Sequence, residues 1–525
     1  MKKQLLITLT FLAIYNLTFA QITYKDVAGI FYARCTSCHH NGASNFPFIN
    51  YTQTAAMASS IQADLVSGKM PPWNADTSYT RFQHERIITS SEKQLILNWI
   101  GSGAQKGDTT QAPVAPIYTN QFQLNGNADL TLSIGNFTST STTTDKYYCF
   151  SIPSGLTQDR IIRAFEVVPG NKAIVHHAVI TADTTGVYTS NLSGSCFNLA
   201  GNLGIGTYAP GTKATIFPSQ APLKAGITLK AGSKIIIQLH YPAGSNGQVD
   251  STKLRLFFYP AGTTGVRRIY STTPLQNWSM FMPANTTTTF TAYYPSASAS
   301  LPISLSAIGV MPHSHLLCKS IINYAVNPNI DTIPLVKIND WDFEWQDYFI
   351  YKKPVKIPAG YKLFSSHVFD NTVNNPNNPH NPPINVTAGT GTNDEMLFDG
   401  MLYMYYQPGD ELIDIESIIN SDPLMNLNVT HSGNIIQNSL AYPNPFSNNI
   451  TIKYALNKTS NVSIEIRDIS GRKIHENKFG EQLNGYHDWN WNGKNQSGND
   501  VSAGIYFYKI TAGNYTLENK IIKVN

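Results

Sequence analysis

"NKAIVHHAVI", residues 171–180, is apolar and β-branched apart from two adjacent histidines. Such a run predicts a buried strand, and neighbours on a regular strand point to opposite faces. His176 and His177 should therefore diverge, one toward a core and one toward water. They can meet at one point only if the strand ends, bulges or twists beside them. Something must then draw both to one point. A further histidine, His240, lies in "KIIIQLHYPAG" (234–244). Gln238 lies two positions before His240 and is expected on the same face, in support of it.

Around this stretch, residues from about 121 to 412 read as short β runs divided by Gly, Pro and Asn, as in "STKLRLFFYPAG" (251–262). So much β-rich chain predicts two sandwiches, at 121–265 and 266–412. Two further features recur there. His313 and His315 form an H-x-H pair in "GVMPHSHLLC", and Met396 lies in "TNDEMLFDG". On a strand, positions i and i+2 share a face, so this pair could grip one metal side by side.

The flanks differ. Residues 1–20, "MKKQLLITLTFLAIYNLTFA", read as a secretory signal peptide. Residues 21–104 read as a small helical domain, with "SSEKQLILNWI" (90–100) opening on a serine cap. It carries Cys35-Thr36-Ser37-Cys38-His39, the C-x-x-C-H pattern of c-type haem attachment. Two thiols one helical turn apart can bind the two vinyl groups, and His39 would lie beneath the iron. Met70 in "SGKMPPWN" is the expected sixth ligand, whereas Met57 sits in a helical run and reads as core. A link rich in small residues and proline follows (105–120), and a polar link is expected at 413–439.

Composition narrows the function. The 525-residue chain has a net charge of +4 and 13% charged residues with no basic block, which argues against nucleic acid. No segment after the leader is apolar enough for a transmembrane anchor. The expected place is outside the cell or on its surface, reached through the periplasm.

Taken in order, "YYCF", "VHHAV", "QLHYP", "HSHLL" and "DEM…LYMYY" resemble the copper type II, ascorbate-dependent monooxygenases, over roughly 121–412. The resemblance implies two coppers, one in each β-sandwich. His176, His177 and His240 would hold the electron-storing ion; His313, His315 and Met396 would hold the oxygen-activating one. A soft thioether favours Cu(I), which suits the second role. It also implies a Cys149–Cys196 disulfide, leaving Cys318 as a buried thiol. Peptide-amidating members carry an arginine two residues before H-x-H; Met311 stands here, which speaks against recognition of a C-terminal glycine. Residues 21–104 resemble class I cytochromes c, and 440–525, opening at "YPNPF", resemble the C-terminal sorting domains of type IX secretion.

The expected protein is thus an exported monooxygenase that converts a substrate C–H bond, O₂ and two electrons to an alcohol and water. Its partners would be a small-molecule substrate, an external electron donor and the type IX machinery. A non-catalytic copper or electron-transfer protein, and a zinc hydrolase, remain alternatives. "WDFEWQDYF" (341–349) reads as strand packing, His40 and His84 as surface residues, and His367 and His380 as parts of a turn-rich loop. His431, His475 and His487 fall in the tail.

Overall fold

The computed structural model describes residues 21–525 except 42, 44, 118–121, 195, 197–201, 426–429, 432–435, 457, 484, 514 and 525. The expected leader lies outside the described residues. The chain divides into two compact units, one formed by residues up to 112 with 120–426, the other by 113–119 with 427–525.

The first unit opens with helices α1 (Tyr24–Arg34), α2 (Tyr51–Ala56), α3 (Ala58–Ser67) and α4 (Ser90–Gly101). Val27 and Phe31, one turn apart on α1, bury the same face against Ile61, Leu65, Ile96 and Trp99. The cap of α4 is Thr89 rather than a serine. Its hydroxyl accepts the Glu92 N–H while Glu92 accepts the Thr89 N–H, a reciprocal pair of about 1 kcal/mol. Met57 packs into this helical core.

The expected link at 105–120 is not one piece. The Gln105 carbonyl accepts from the Tyr24 amide and the Trp99 indole, so 105–112 belongs with the helices. Pro116 and Ile117 pair with His431 and Thr430 in the other unit. Nor do the helices stand apart from the β region. Ala75 bridges to Ile338 and Phe82 to Tyr351, and the Phe82 side chain is fully buried in the core of the second β domain.

The first β domain packs two sheets around one apolar core. One runs Ser219–Gln220, Leu223–Leu229, Arg160–Val168, Lys253–Phe258, Leu130–Ser133. The other contains β1 (Lys146–Pro153), β2 (His177–Asp183) and β3 (Lys234–Tyr241), with β3 between the other two. Along β3, Ile235, Ile237, Leu239 and Tyr241 alternate into the core, so Ile236, Gln238 and His240 take the opposite face. On that face Gln238 accepts the Cys196 amide and does not reach the histidines. Cys149 and Cys196 form a disulfide beside it.

The second β domain pairs a sheet containing β4 (Leu305–Met311) and β6 (Leu397–Tyr405) with one containing β5 (Lys362–Asn371). The segment expected as a polar link from 413 is structured up to Met425. Helix α5 (Ile415–Asn420) buries Ile415, Ile418 and Ile419 in the first β domain, and Met425 bridges to Leu124. A link assignment fails there because four apolar residues, Leu424 included, share one buried face.

The second unit is a pair of small antiparallel sheets over a core that includes Ile452, Ile464, Trp491 and Ile510.

Candidate metal centres

The strand holding the histidine pair begins at His177; His176 belongs to the turn before it. Asn171 shapes this turn, its carbonyl accepting from Ile174 and Val175 and its side chain from Ala173. Freed from strand alternation, His176 swings to the side of His177, while its amide donates to the His240 carbonyl at 3.0 Å. His177 and His240 are cross-strand partners. Three Nδ1 atoms converge, 3.3 Å between His176 and His177 and 3.2 Å between His177 and His240. A metal–nitrogen bond of about 2.0 Å in tetrahedral geometry places its ligands about 3.3 Å apart, which both of these edges match, and all three ligand atoms lie within 4.8 Å of one another.

Protonation favours ligation. Asp145 Oδ2 accepts His240 Nε2–H at 2.8 Å, which leaves the His240 Nδ1 lone pair facing the cluster. That hydrogen bond holds the Asp145 carboxyl below its ordinary range. Burial, then repulsion from His240, brings His176 down to about 4, and burial drives His177 well below its ordinary value. Neutral imidazoles are what a metal requires. The Tyr147 ring stacks on His240 at 4.6 Å and 12°.

The second cluster differs from the strand arrangement expected for H-x-H. β4 ends at Met311, and His313 and His315 lie in the turn after it, their rings 5.3 Å apart and 85° to one another. Polar partners hold this turn where a sheet would have. His313 N–H donates to Asp399, and the Phe398 amide donates to the His313 carbonyl. His313 Nδ1 meets Gln346 Oε1 at 2.5 Å, and His315 Nδ1 donates to the Asp394 carbonyl at 3.0 Å. With both Nδ1 atoms engaged, Nε2 is the atom of each ring that could hold a metal. Burial, then charge from His315, lowers His313 to about 3; burial also lowers His315. Met396 is buried next to the turn, its carbonyl accepting the Ser314 hydroxyl at 2.7 Å.

Several supporting groups here had no clear mark in the sequence. Glu395, fully buried, accepts the amides of His315, Leu317 and Met396 and the Ser314 hydroxyl. Its burial raises the carboxyl to about 7 against those bonds. Burial works to raise Asp399 as well, but His367, Ser365 and the His313 amide hold it below its ordinary range. His367 is therefore not in a loop. It sits on β5, fully buried, with Nε2 3.1 Å from Asp399. The "WDFEWQDYF" segment is no packed strand before Phe349: Trp341 donates to the His315 carbonyl and Gln346 holds His313. Its alternating acids and aromatics could have marked a loop that cups a site.

The two clusters are near each other. His313 and His315 both add to the repulsion on His177, and Tyr147 Oη is 3.0 Å from Thr392 Oγ1.

In the helical segment, Cys35 and Cys38 are thiols in the turn after α1, and Cys318 is a buried thiol in the second β domain. Burial raises Cys35 to about 12. Cys38 Sγ lies against Gly211, where a Cβ would approach it to 2.6 Å. His39 Nδ1 donates to the Phe46 carbonyl at 2.8 Å, and its ring stacks on Phe48. That leaves Nε2 as the ring nitrogen that could face an iron. Met70, half-buried, follows α3 and its amide donates to the Asp64 carbonyl. His84 is not a surface residue; it is half-buried with φ of 54° beside Lys213.

Residues 267–424 match the model of the copper type II ascorbate-dependent monooxygenase C-terminal domain, less than a third of the chain. Residues 446–515 match the FlgD Ig-like domain. No curated protein matches. Among solved structures, PorZ, a surface component of the type IX secretion system of Porphyromonas gingivalis, is 18% identical with a TM-score of 0.15, over 24% of this chain and 14% of that one. Dimeric latent PorU of the same organism is 12% identical with a TM-score of 0.16, over 73% of this chain and 34% of that one. A Parabacteroides merdae β-glucuronidase is 7% identical with a TM-score of 0.14, over 45% of this chain and 28% of that one.

Proposed function

We propose that this protein, which carries a copper type II monooxygenase C-terminal domain over 267–424, is a copper-dependent oxidoreductase that hydroxylates a C–H bond with O₂. One observation carries the reading: three imidazoles converge at His176, His177 and His240, outside the matched domain and beside its own His313–His315 turn. A lone binding site would not need a second cluster within electrostatic reach. Copper bound at the two sites would supply the two one-electron equivalents and the oxygen chemistry.

This chain's residues divide the remaining work. Asp145 orients His240 so that Nδ1 faces the first site. Gln346 and the Asp394 carbonyl orient His313 and His315 so that Nε2 faces the second. The buried thioether of Met396 would complete that site and favour the reduced ion. Phe398 and Phe343, whose rings lie 6.4 and 5.9 Å from those of His313 and His315, limit access of water.

The C-x-x-C-H turn would carry one covalent haem on Cys35 and Cys38, with His39 and Met70 as axial ligands, passing electrons from an external donor. The last β unit would serve export by the type IX machinery to the cell surface or beyond. Among the described residues no helix is long and apolar enough to cross a membrane, and the Cys149–Cys196 disulfide fits an oxidising compartment.

Copper loading with oxygen uptake tests the proposal. Two coppers per chain are expected, with O₂ consumed under ascorbate. His240→Ala and Met396→Ala should each remove one copper and leave the other's EPR signal intact. Zinc retained in preference to copper, or full oxygen uptake by Met396→Ala, would overturn it. Export with a haem-attachment system should also give a pigment that survives denaturation and is lost in Cys35→Ala/Cys38→Ala.

A further inference from the structure

The two metal sites are joined by a short chain of contacts that no ligand role explains. Tyr147 comes from β1, where it is the cross-strand partner of His240. Its ring lies flat on the His240 imidazole, centroids 4.6 Å apart and planes at 12°. Its hydroxyl is 3.0 Å from Thr392 Oγ1 in the second β domain. Two residues after Thr392, the Asp394 carbonyl accepts His315 Nδ1–H at 3.0 Å. Thr392 is held close to that carbonyl because the Gly391 amide donates to Asp394 Oδ2 at 3.0 Å.

We infer that Tyr147 and Thr392 form the electron route between the two metal sites, a deepening that rests on the proposed two-copper function. With copper bound, the ion held by His176/His177/His240 would give up one electron, Cu(I) to Cu(II), and the ion held by His313/His315/Met396 would take it, Cu(II) to Cu(I). No bond forms or breaks on the way. The phenolic proton stays on Tyr147. The route has one ring stack, one hydroxyl–hydroxyl hydrogen bond, two peptide units and one imidazole–carbonyl hydrogen bond. Gln238, two positions before His240 on the same face, is turned to the disulfide, where it accepts the Cys196 amide.

Tyr147→Phe keeps the stacked ring and removes the bridge; Thr392→Val removes the partner hydroxyl and keeps the shape. The fully oxidised two-copper protein is given one electron per chain by a photoreductant, and EPR follows how fast that electron redistributes between the two copper signals. Both variants should bind two coppers with unchanged spectra and show redistribution slowed by about tenfold or more. Wild-type rates in both variants would overturn the route while leaving the two-copper reading intact. A changed copper–copper distance in Tyr147→Phe, measured by pulsed EPR, would also overturn it, since Tyr147 would then be a latch between domains. A wild-type chain that holds fewer than two coppers would overturn the proposed function, and the route with it.

Discussion

Glu395 Oε2 accepts the backbone N–H of His315 at 3.0 Å, and through this bond one buried carboxylate fastens the segment bearing Met396 to the turn bearing His313 and His315. The two segments are some eighty residues apart in sequence, as the separation of this pair shows. Without a regular ladder at the H-x-H turn, carboxylate acceptors take the place of strand hydrogen bonds.

Glu395→Gln should therefore damage the second site selectively. An amide cannot accept from three N–H groups and the Ser314 hydroxyl without turning a donor toward one of them. Leaving buried donors unpaired costs roughly 1–3 kcal/mol each, and a net loss of about 3 kcal/mol is expected in urea unfolding. Copper at His313/His315 should weaken at least tenfold while the three-histidine copper keeps its EPR spectrum. An unchanged second-site affinity would contradict the fastening role.

Asp145→Asn tests the orientation of His240. The amide can no longer accept Nε2–H as a charged partner, so the tautomer that turns the Nδ1 lone pair to the cluster is less favoured. Loss of such a partner typically costs 10–100-fold in metal affinity. Titration with a copper chelator should show that loss at the first site only.

A pH effect is expected where the helical segment docks. Burial, with Lys213, Arg86 and Lys352 behind it, lowers His84 to about 3. An unfolded or undocked His84 takes up its proton near pH 6.5. The docked state binds fewer protons below that pH, so its stability falls as pH drops from 6.5 toward 3. Between pH 6.5 and 5 the loss is at most about 2 kcal/mol. Hydrogen exchange at the Gln83 amide, which donates to the Ile350 carbonyl, should quicken over that range in wild type and less in His84→Asn.

Two truncations separate the β domains from the final unit. A chain stopped at 426 keeps Ile415, Ile418, Ile419 and Leu424 in the first β core and should fold and bind two metals. A chain stopped at 412 loses all four, each worth about 1.5–3 kcal/mol of burial, and should melt far lower or fail to fold. Equal melting temperatures would show that α5 contributes nothing to the core.

Much of the molecule was legible in the chain because it is local. Alternation along Lys234–Tyr241, helical spacing of Val27 and Phe31, and the break at the His176–His177 pair follow from backbone geometry within a few residues. The three-histidine set came from the resemblance to the copper monooxygenases, and the strand start at His177 supplies the means by which neighbouring imidazoles meet. The tertiary structure decided what depends on distant contacts. Whether H-x-H lies on a strand or in a turn is set by Asp399 and Glu395, since a carboxylate that accepts amides can replace a ladder anywhere along the chain. Whether Asp145, Gln346 or Tyr147 supports a site depends on which strand lies opposite, and no periodicity encodes that. The α5 segment reads as a link because its apolar residues are few and spaced without a clear period, and 21–104 reads as a domain of its own; only the cores that receive Ile415 and Phe82 reveal them as packed into the β region. Short-range sterics write themselves into sequence pattern, whereas desolvation and hydrogen-bond satisfaction are settled by whatever the fold brings alongside.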